Sequence, residues 1–294
     1  MDDELITIMT PTYNRANLLK RLYESLLEQK NTNFEWLIVD DGSTDNTKSL
    51  VDKLINKRKI KIRYIFQKNG GKYKAFNTGI EAANGKLFFC VDSDDVLASD
   101  VIDLIEMSWH KIKNLQNVSG ILALKVDSKG ILLSDRIPEG LKLEHLYSLN
   151  TIYNIKGEFS LVYKTEILKE YKFPDVSPEK FVGECVLYDQ IDKSYKMYIV
   201  NSIFTICEYQ SDGYTNNIVS NMIKNPTGYK IYYSQRIDMA NTLKERISYI
   251  VRYNAFAKMS KDKRYMYKGK YSILVKLFSI TGVLGKKYYY RKMK

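Results

Sequence analysis

The first hundred residues of the sequence alternate two hydrophobic patterns. Short apolar runs, such as Leu5–Met9 and Phe34–Val39, alternate with apolar residues repeated every three or four positions, such as those between Leu18 and Leu27. The short runs are typical of strands buried on both faces, and the repeats are typical of helices packed against them. Strands that alternate with helices predict βαβ units. The chain is therefore predicted to be an α/β protein with a mostly parallel central sheet flanked by helices.

The same patterns predict the positions of the individual elements. Strands are expected near residues 5–9, 34–39, 60–66, 86–91, 120–126, 159–164, 196–200 and 203–209. Helices are expected near residues 16–29 and 73–83 and after residues 43 and 99, where Ser43 or Thr44 and then Ser99 are expected to act as N-caps.

Acidic residues follow two of the predicted strands. Asp92, Asp94 and Asp95 lie within four positions directly after the fourth strand, and Asp40 and Asp41 follow the second strand. Ligands of such sheets bind beyond the carboxyl ends of the strands, so both groups fall on the edge where a ligand is expected. Closely spaced carboxylates suit a hard divalent cation such as Mg²⁺ or Mn²⁺. A solvated acidic loop before the next helix is the alternative.

Two further segments fall at the same predicted edge. The carboxylate of Asp41 could accept hydrogen bonds from a base or a ribose, although Asp-Asp-Gly-Ser also suits a turn and a helix cap. The pair Gly70-Gly71, flanked by lysines that include Lys72, lets the backbone approach a ligand closely and adds positive charge for phosphates. A surface turn is the other interpretation of this glycine pair.

Four segments in this order resemble the family 2 glycosyltransferases. They are residues 8–15 (IMTPTYNR), 39–45 (VDDGSTD), 69–72 (NGGK) and 91–95 (VDSDD). The resemblance is dense over residues 5–100, loose over 101–214 and absent beyond. It implies a GT-A fold in residues 1–214, with a nucleotide-sugar-binding half (1–100) and an acceptor half (101–214). Residues 215–294 would form a basic, tyrosine-rich helical extension.

The resemblance also implies roles for individual residues. The nucleotide-sugar-binding residues would be Pro11, Thr12, Tyr13, Arg15, Asp41, Lys72, Asp92 and Ser93. The first three would line the nucleoside pocket, and Asp41, helped by Lys72, would hold the base, most often uracil. Asp92 would lie near the ribose and the donor sugar. Asp94 would ligate the Mn²⁺ or Mg²⁺ ion that bridges the diphosphate.

Inverting members of the family also need a catalytic base in the second half, commonly from a Glu-Asp pair. The matching stretch here is residues 180–187, in which Cys185 follows Glu184. Glu184 is therefore expected to be the base, with Asp189 in reserve, because a carboxylate can take the proton of the acceptor hydroxyl as it attacks. In the alternative interpretation Glu184 only caps the following helix.

The expected activity is the metal-dependent transfer of a hexose from a nucleotide-sugar, most often a UDP-sugar, to a glycan or lipid-linked acceptor. Because the family's Asp after the glutamate is missing, a catalytically inactive nucleotide-sugar-binding protein stays an alternative. The third hypothesis is a nucleic-acid-binding protein that acts through its basic end.

The positive charge is concentrated near the end of the chain. Residues 215–294 carry 18 Lys and Arg against 3 Asp and Glu, whereas residues 1–214 carry 28 against 31. Apolar residues at helical spacing between Ile273 and Leu284 precede a basic, tyrosine-rich stretch. This pattern predicts an amphipathic helix on an anionic membrane surface. Packing on the catalytic domain or on a second copy of the chain are the alternatives.

The remaining features indicate where the protein acts. Three scattered cysteines predict free thiols rather than a disulfide framework or a zinc site. The first residues lack a signal-peptide pattern, and the sequence lacks an apolar run of the length of a transmembrane helix. We therefore expect a cytoplasmic protein, with peripheral contact at the inner face of the cell membrane.

Overall fold

A computed structural model describes residues 5–208 and 218–292, which group into two compact units. Unit 1 contains residues 5–172 and 191–208, and unit 2 contains residues 173–190 and 218–292. The charge-based boundary at residue 215 left residues 173–190 in the acceptor half, whereas the structure groups them with the C-terminal helices. The reason is specific contacts within unit 2: Glu179 accepts hydrogen bonds from the start of a helix at Thr227, and Asp189 pairs with Arg236.

The described part of unit 1 contains a nine-stranded sheet. Its strands are β1 (Ile6–Thr12), β2 (Phe34–Asp40), β3 (Lys61–Phe66), β4 (Leu87–Cys90), β5 (Val96–Leu97), β6 (Val118–Asp127), β7 (Leu143–Glu144), β8 (Phe159–Lys164) and β9 (Lys196–Cys207). The order is β3-β2-β1-β4-β8-β6-β9-β5, and β7 pairs with β9. Strands β1 to β4 are parallel, β8 is antiparallel to both of its neighbours, and β6 is parallel to β9. The predicted α/β class is confirmed, with a mixed sheet.

Helices connect the parallel strands. They are α1 (Ala16–Leu27), α2 (Thr47–Asn56), α3 (Lys72–Ala82) and α4 (Val101–Ile112), with the shorter α5 (Leu146–Thr151) and α6 (Thr165–Leu168) later in the unit. Helix α1 buries Leu19, Leu22 and Leu26 in the core. Each such side chain contributes about 1.5 to 3 kcal/mol through removal from water. All seven residues of β1 and of β2 are buried, as their continuous apolar patterns predict.

The predicted N-cap of α2 is wrong. The carboxylate of Asp45 accepts hydrogen bonds from the backbone nitrogen of Thr47 at 3.0 Å and from its hydroxyl at 2.5 Å. Ser43 and Thr44 instead bind Asn14 in the loop after β1. The Ser43 hydroxyl accepts a hydrogen bond from the Asn14 backbone nitrogen, and the Asn14 side-chain oxygen Oδ1 accepts one from the Thr44 backbone nitrogen. The two hydroxyl residues therefore join two loops of the sheet edge.

The predicted N-cap of α4 is wrong as well. The side-chain carbonyl of Gln29 accepts hydrogen bonds from the backbone nitrogens of Val101 at 3.1 Å and Ile102 at 3.4 Å, and the side chain of Ser99 does not take this role. The two strands predicted at 196–200 and 203–209 form one strand, β9, whose register against β6 shifts irregularly.

Unit 2 is helical in its described part. Its helices are α8 (Ile218–Lys224), α9 (Pro226–Met239), α10 (Leu243–Met259), α11 (Ser272–Leu277) and α12 (Thr281–Lys292), and α7 (Cys185–Asp192) begins in this unit. An aromatic and aliphatic core joins them, with Tyr233, Tyr253 and Phe256 at its centre. None of the helices in the two described ranges has both the length and the apolar character needed to cross a bilayer.

Candidate active site

The loops that follow the parallel strands meet at one edge of the unit 1 sheet. Because β1, β2 and β4 are parallel, their carboxyl ends lie on the same side. The Arg15 guanidinium after β1 contacts the Asp94 carboxylate after β4 at 2.6 Å. The Lys72 ammonium at the start of α3 contacts the Asp92 carboxylate at 2.7 Å. The structure thus brings together four residues that the sequence selected from three separate segments.

Asp41 organises the glycine loop before α3. One of its carboxylate oxygens accepts hydrogen bonds from the Gln67 amide at 2.7 Å and from the Gly70 backbone at 2.9 Å. The other oxygen accepts from the Gly71 backbone at 2.7 Å. Gly71 has φ +97°, a conformation that favours glycine, and it precedes the first turn of α3. A carboxylate offers about four acceptor positions, and these hydrogen bonds occupy three of those of Asp41.

Asp40 is fully buried and shapes the turn after β2. Its carboxylate accepts hydrogen bonds from the Ser43 backbone at 2.7 Å and from the Tyr64 hydroxyl at 2.6 Å. Burial and the nearby Asp40 charge raise the pKa of the Tyr64 hydroxyl. Asp40 therefore has a structural role, as the turn interpretation of this segment predicts.

The Asp92 carboxylate is held in its charged form. Burial opposes the charge, but the ammonium groups of Lys72 and Lys125 and the guanidinium of Arg15 hold the pKa of Asp92 below its ordinary value. Its side chain is 36% exposed, so it can still meet a ligand. The side chain of Asp94 is 21% exposed and is open in the same way.

Asp95 is buried next to Lys125 and is a different kind of carboxylate. The Lys125 ammonium lies 3.4 Å from the Asp95 oxygen, and the thiol of Cys207 hydrogen bonds to Asp95 as well. Burial raises the pKa of Asp95 to about 6, and the charges of Asp92 and Asp94 act in the same direction. Burial likewise raises the pKa of the Cys207 thiol to about 12. Asp95 is therefore the buried member of the acidic loop, whereas Asp92 and Asp94 are partly exposed.

Lys125 and Asn14 are site residues that reasoning from the sequence did not select. Lys125 interrupts the apolar run of β6, and a single lysine inside a buried strand is a signal for a buried counter-charge. Asn14 adopts a positive φ of +52° and links the loops after β1 and β2 through Thr44. Asparagine tolerates this conformation better than most residues do, which gives a second signal.

The predicted nucleoside-pocket residues lie at the end of β1. Pro11 and Thr12 are buried at the last two positions of the strand, whereas the Tyr13 ring is 48% exposed. The buried hydroxyl oxygen of Thr12 has no hydrogen-bond partner among the described residues, which is rare for a buried polar atom. Ser93 is buried between Asp92 and Asp94 in the acidic loop.

The acidic loop could hold a divalent cation whose remaining ligands come from a substrate. In the described ranges, no group of three or more His, Cys, Asp or Glu side chains is arranged to hold a metal ion alone. Mg²⁺ is usually held by one or two carboxylates together with substrate phosphates. Asp94 and Asp92 are partly exposed, already attract the cations of Arg15 and Lys72, and provide the oxygen ligands that Mg²⁺ and Mn²⁺ prefer.

The two predicted catalytic carboxylates belong to unit 2. Glu184 directly precedes α7, and its carbonyl oxygen accepts hydrogen bonds from the Leu187 and Tyr188 backbone at 3.0 Å. Asp189 is buried and forms a bidentate ion pair with Arg236, with N–O distances of 2.6 and 2.7 Å. Proton transfer to Asp189 would require loss of this pair.

Curated relatives of this chain are bacterial glycosyltransferases. A Campylobacter jejuni GalNAc(5)-diNAcBac-PP-undecaprenol beta-1,3-glucosyltransferase is 27% identical over 265 residues, which are 88% of this chain and 77% of that protein. An uncharacterised glycosyltransferase of Rickettsia felis is 41% identical over 104 residues, or 35% of this chain and 17% of that protein. A second uncharacterised glycosyltransferase, from Nostoc, is 42% identical over 91 residues, or 31% of this chain and 28% of that protein. The chain therefore spans less than a third of the length of these last two relatives.

Solved structures share the fold. The crystal structure of S. aureus TarS in complex with UDP matches with a TM-score of 0.59 at 17% identity, covering 98% of this chain and 92% of that chain. A Pyrobaculum calidifontis mannosyltransferase in complex with GDP-Man and Mn²⁺ matches with a TM-score of 0.55 at 15% identity, covering 97% of this chain and 83% of that chain. The predicted GT-A fold, with a helical C-terminal region, is confirmed.

The family is established by sequence. The profile of "Glycosyl transferase family 2" matches residues 7–169, more than half of the chain, and this range contains all four motifs at the sheet edge. The resemblance seen in those motifs is thereby confirmed, and the chain belongs to glycosyl transferase family 2.

Proposed function

We propose that this protein is an inverting, metal-dependent glycosyltransferase that moves a hexose from a UDP-sugar to a hydroxyl of a glycan or lipid-linked acceptor. The observation that carries the proposal is the sheet edge of unit 1, where Asp92 and Asp94 lie with Lys72 and Arg15. Two comparisons support the choice of substrates. S. aureus TarS has been solved with UDP and with UDP-GlcNAc, and the name of the C. jejuni relative describes glucosyl transfer to an undecaprenol-linked glycan.

The nucleoside would bind at the ends of β1 and β2. Asp41 would accept a hydrogen bond from the base through its remaining acceptor position, and the glycine loop that it fixes lets the ligand approach the backbone closely. The buried Thr12 hydroxyl would satisfy its hydrogen bond on the nucleoside, next to Pro11 and the exposed Tyr13 ring. Ser93, in the acidic loop, would face the donor as well.

The diphosphate would bind at the charged part of the site. Asp94, with Asp92 beside it, would hold Mn²⁺ or Mg²⁺, which supplies charge neutralisation for the departing diphosphate. Lys72 and Arg15 would turn from the two carboxylates towards the phosphate oxygens, because a bound cation takes over their present role. Positive charges at this position would stabilise the negative charge that develops on the leaving group.

The acceptor hydroxyl would lose its proton to Glu184. As that oxygen bonds to the anomeric carbon, the bond to the nucleoside diphosphate breaks on the opposite face, and the configuration inverts. Asp189, which is paired with Arg236, is the reserve base. We locate this reaction at the inner face of the cell membrane, where a lipid-linked acceptor would be available.

Thermal unfolding with nucleotides tests the donor site. The melting temperature would be measured with UDP, GDP, CDP and TDP, each with and without Mn²⁺. At a hundredfold excess over its dissociation constant, a bound nucleotide stabilises the folded state by about 2.7 kcal/mol. We expect a shift for UDP that needs Mn²⁺ and is lost in Asp94→Ala but kept in Asp52→Ala, which removes an exposed carboxylate of α2. No shift with any of the four nucleotides would refute the donor site.

Product analysis tests the chemistry separately. Proton NMR of the product would identify the anomeric configuration, and retention of the donor's configuration would exclude the inverting mechanism. Glu184→Gln should keep the UDP shift and lose transfer. If the unmodified protein binds UDP but transfers no sugar to any glycan or lipid-linked acceptor offered, the chain is a nucleotide-sugar-binding protein instead.

A further inference from the structure

Unit 2 carries an exposed apolar face on α11, α12 and the turn between them. We call the side chains of Ile273, Leu277, Ile280, Val283 and Leu284 the apolar face. They are between 46% and 77% exposed. Five exposed aliphatic side chains within twelve consecutive residues form a patch of the kind that marks an interaction surface.

The inward side of the same helices fixes this orientation. Val275 is buried in the core of unit 2, and Leu274 and Phe278 pack against that core. Helix α12 backs closely onto α10 at Gly282, where a Cβ atom would lie 2.5 Å from the carbonyl oxygen of Asn254. The packing residues occupy one side of both helices, and the apolar face therefore lies on the opposite, solvent-exposed side.

The surroundings of the apolar face are cationic. Residues 263–294 contain ten Lys and Arg and no Asp or Glu. Lys276, Lys286 and Lys287 are exposed next to the apolar residues, and the rings of Tyr288 and Tyr290 are 52% and 41% exposed on α12. Aliphatic side chains, lysines and tyrosines together suit the headgroup region of a bilayer, where the lysines meet anionic lipids.

This charge pattern selects one occupant for the apolar face. A second copy of the chain would bring its own cations against these, which costs electrostatic energy. Single-stranded nucleic acid would use aromatic rings for stacking, but the most exposed side chains here are aliphatic. An anionic lipid surface suits both groups, because it offers apolar chains to the aliphatic residues and negative headgroups to the lysines.

We infer that the apolar face of α11 and α12 inserts into the headgroup layer of an anionic membrane and holds the protein there. The inference rests on the proposed function for its biological role, because a membrane-bound enzyme would meet a lipid-linked acceptor directly. The binding itself depends only on residues of unit 2.

Vesicle cosedimentation of the full chain tests the inference. The vesicles would contain phosphatidylglycerol and phosphatidylcholine, or phosphatidylcholine alone. We expect binding to the anionic vesicles that weakens as NaCl rises from about 0.1 to 0.5 M, because salt screens the lysines. The triple variant Ile273→Ser, Leu277→Ser, Ile280→Ser should bind about tenfold or more weakly, since it removes most of the inserted apolar surface. Leu243→Ser, which changes an exposed leucine of α10 outside the apolar face, should bind like the unmodified protein.

The opposing results are distinct. Equal binding by the triple variant, or equal binding to neutral and anionic vesicles, would overturn the inference. A different occupant would be shown if the unmodified protein does not bind vesicles but forms a dimer in light scattering, and the triple variant does not form it. Binding to single-stranded oligonucleotides that follows the same pattern would overturn the inference as well. The Mn²⁺-dependent UDP shift is measured on the same proteins. Its loss with vesicle binding intact counts against the donor site alone, and its presence without vesicle binding counts against the membrane surface alone.

Discussion

At the scale of single residues, Asp41 offers a joint test of stability and of the proposed nucleotide binding. In Asp41→Ala the backbone nitrogens of Gly70 and Gly71 and the Gln67 amide lose their acceptor. A buried donor without a partner costs about 1 to 3 kcal/mol, so the free energy of unfolding in urea should fall by at least that amount. The UDP shift should vanish as well, because the glycine loop loses its support. Asp52→Ala is the exposed control, and equal stability of both variants would refute this role of Asp41.

Asp95 should make stability depend on pH. Its folded-state pKa of about 6 lies above the ordinary 3.8 because the carboxyl is buried. Between these two values the folded state holds the proton and the unfolded state releases it, so raising the pH through this window lowers the free energy of unfolding. The expected size is on the order of 1 to 3 kcal/mol. Asp95→Asn cannot ionise and should lack this part of the slope in urea unfolding followed from pH 4 to 7 in EDTA. Parallel curves for both proteins would contradict the prediction.

At the scale of elements, the start of α10 offers a test of helix capping. The Thr242 hydroxyl accepts a hydrogen bond from the Glu245 backbone at 3.2 Å, and the Glu245 carboxylate accepts one from the Asn241 backbone at 3.0 Å. This Thr-x-x-Glu pattern resembles a capping box, except that the glutamate accepts from the residue before the N-cap. Thr242→Ala should lower the free energy of unfolding by about 1 kcal/mol, whereas Thr242→Ser keeps the acceptor and most of the stability. Equal losses in the two variants would show that the hydroxyl does not cap the helix.

The elements of the first 112 residues could be predicted from the sequence because their signals are local. The apolar runs of β1 and β2 and the repeat of α1 lie within the elements themselves, and the observed bounds differ from the predicted ones by a few residues. The caps of α2 and α4 could not be predicted in the same way. Gln29 caps α4 from 72 residues away, and Ser43 binds Asn14 across the sheet edge. Contacts of this kind depend on the finished fold.

The site was predictable to a similar extent. The motif residues Arg15, Lys72, Asp92 and Asp94 were identified in sequence, and the structure pairs them. The pairing of these residues could not be predicted from the sequence. Neither could the contact of Lys125 with Asp95, because Lys125 lies on a distant strand. In the same way, hydrophobic spacing identified the stripe in residues 273–284, but only the packing of Val275 and Gly282 divides it into a buried side and an exposed side.

At the scale of the whole molecule, the positive charge is concentrated towards the end of the chain. Residues 215–294 hold 18 Lys and Arg against 3 Asp and Glu, and the preceding residues hold 28 against 31. Acidic groups that suit a metal nucleotide lie in unit 1, and cationic groups that suit a lipid surface lie in unit 2. In the functions proposed above, a divalent cation would mediate the contact with one anionic partner, and lysines would mediate the contact with the other.

Hydrogen exchange of the full chain should therefore show two separate footprints. UDP with Mn²⁺ should slow exchange in residues 10–15, 40–45, 67–74 and 91–97, because these loops form the sheet edge and carry the charged pairs. Anionic vesicles should slow exchange in residues 272–285, where the apolar face lies. Raising NaCl from about 0.1 to 0.5 M should remove the vesicle footprint, which depends on screened surface charges, and leave most of the nucleotide footprint, which depends on partly buried ones. UDP without Mn²⁺ and phosphatidylcholine vesicles are the controls. Protection of the sheet edge by vesicles, or of residues 272–285 by UDP with Mn²⁺, would show that the two functions are not divided between the units in this way.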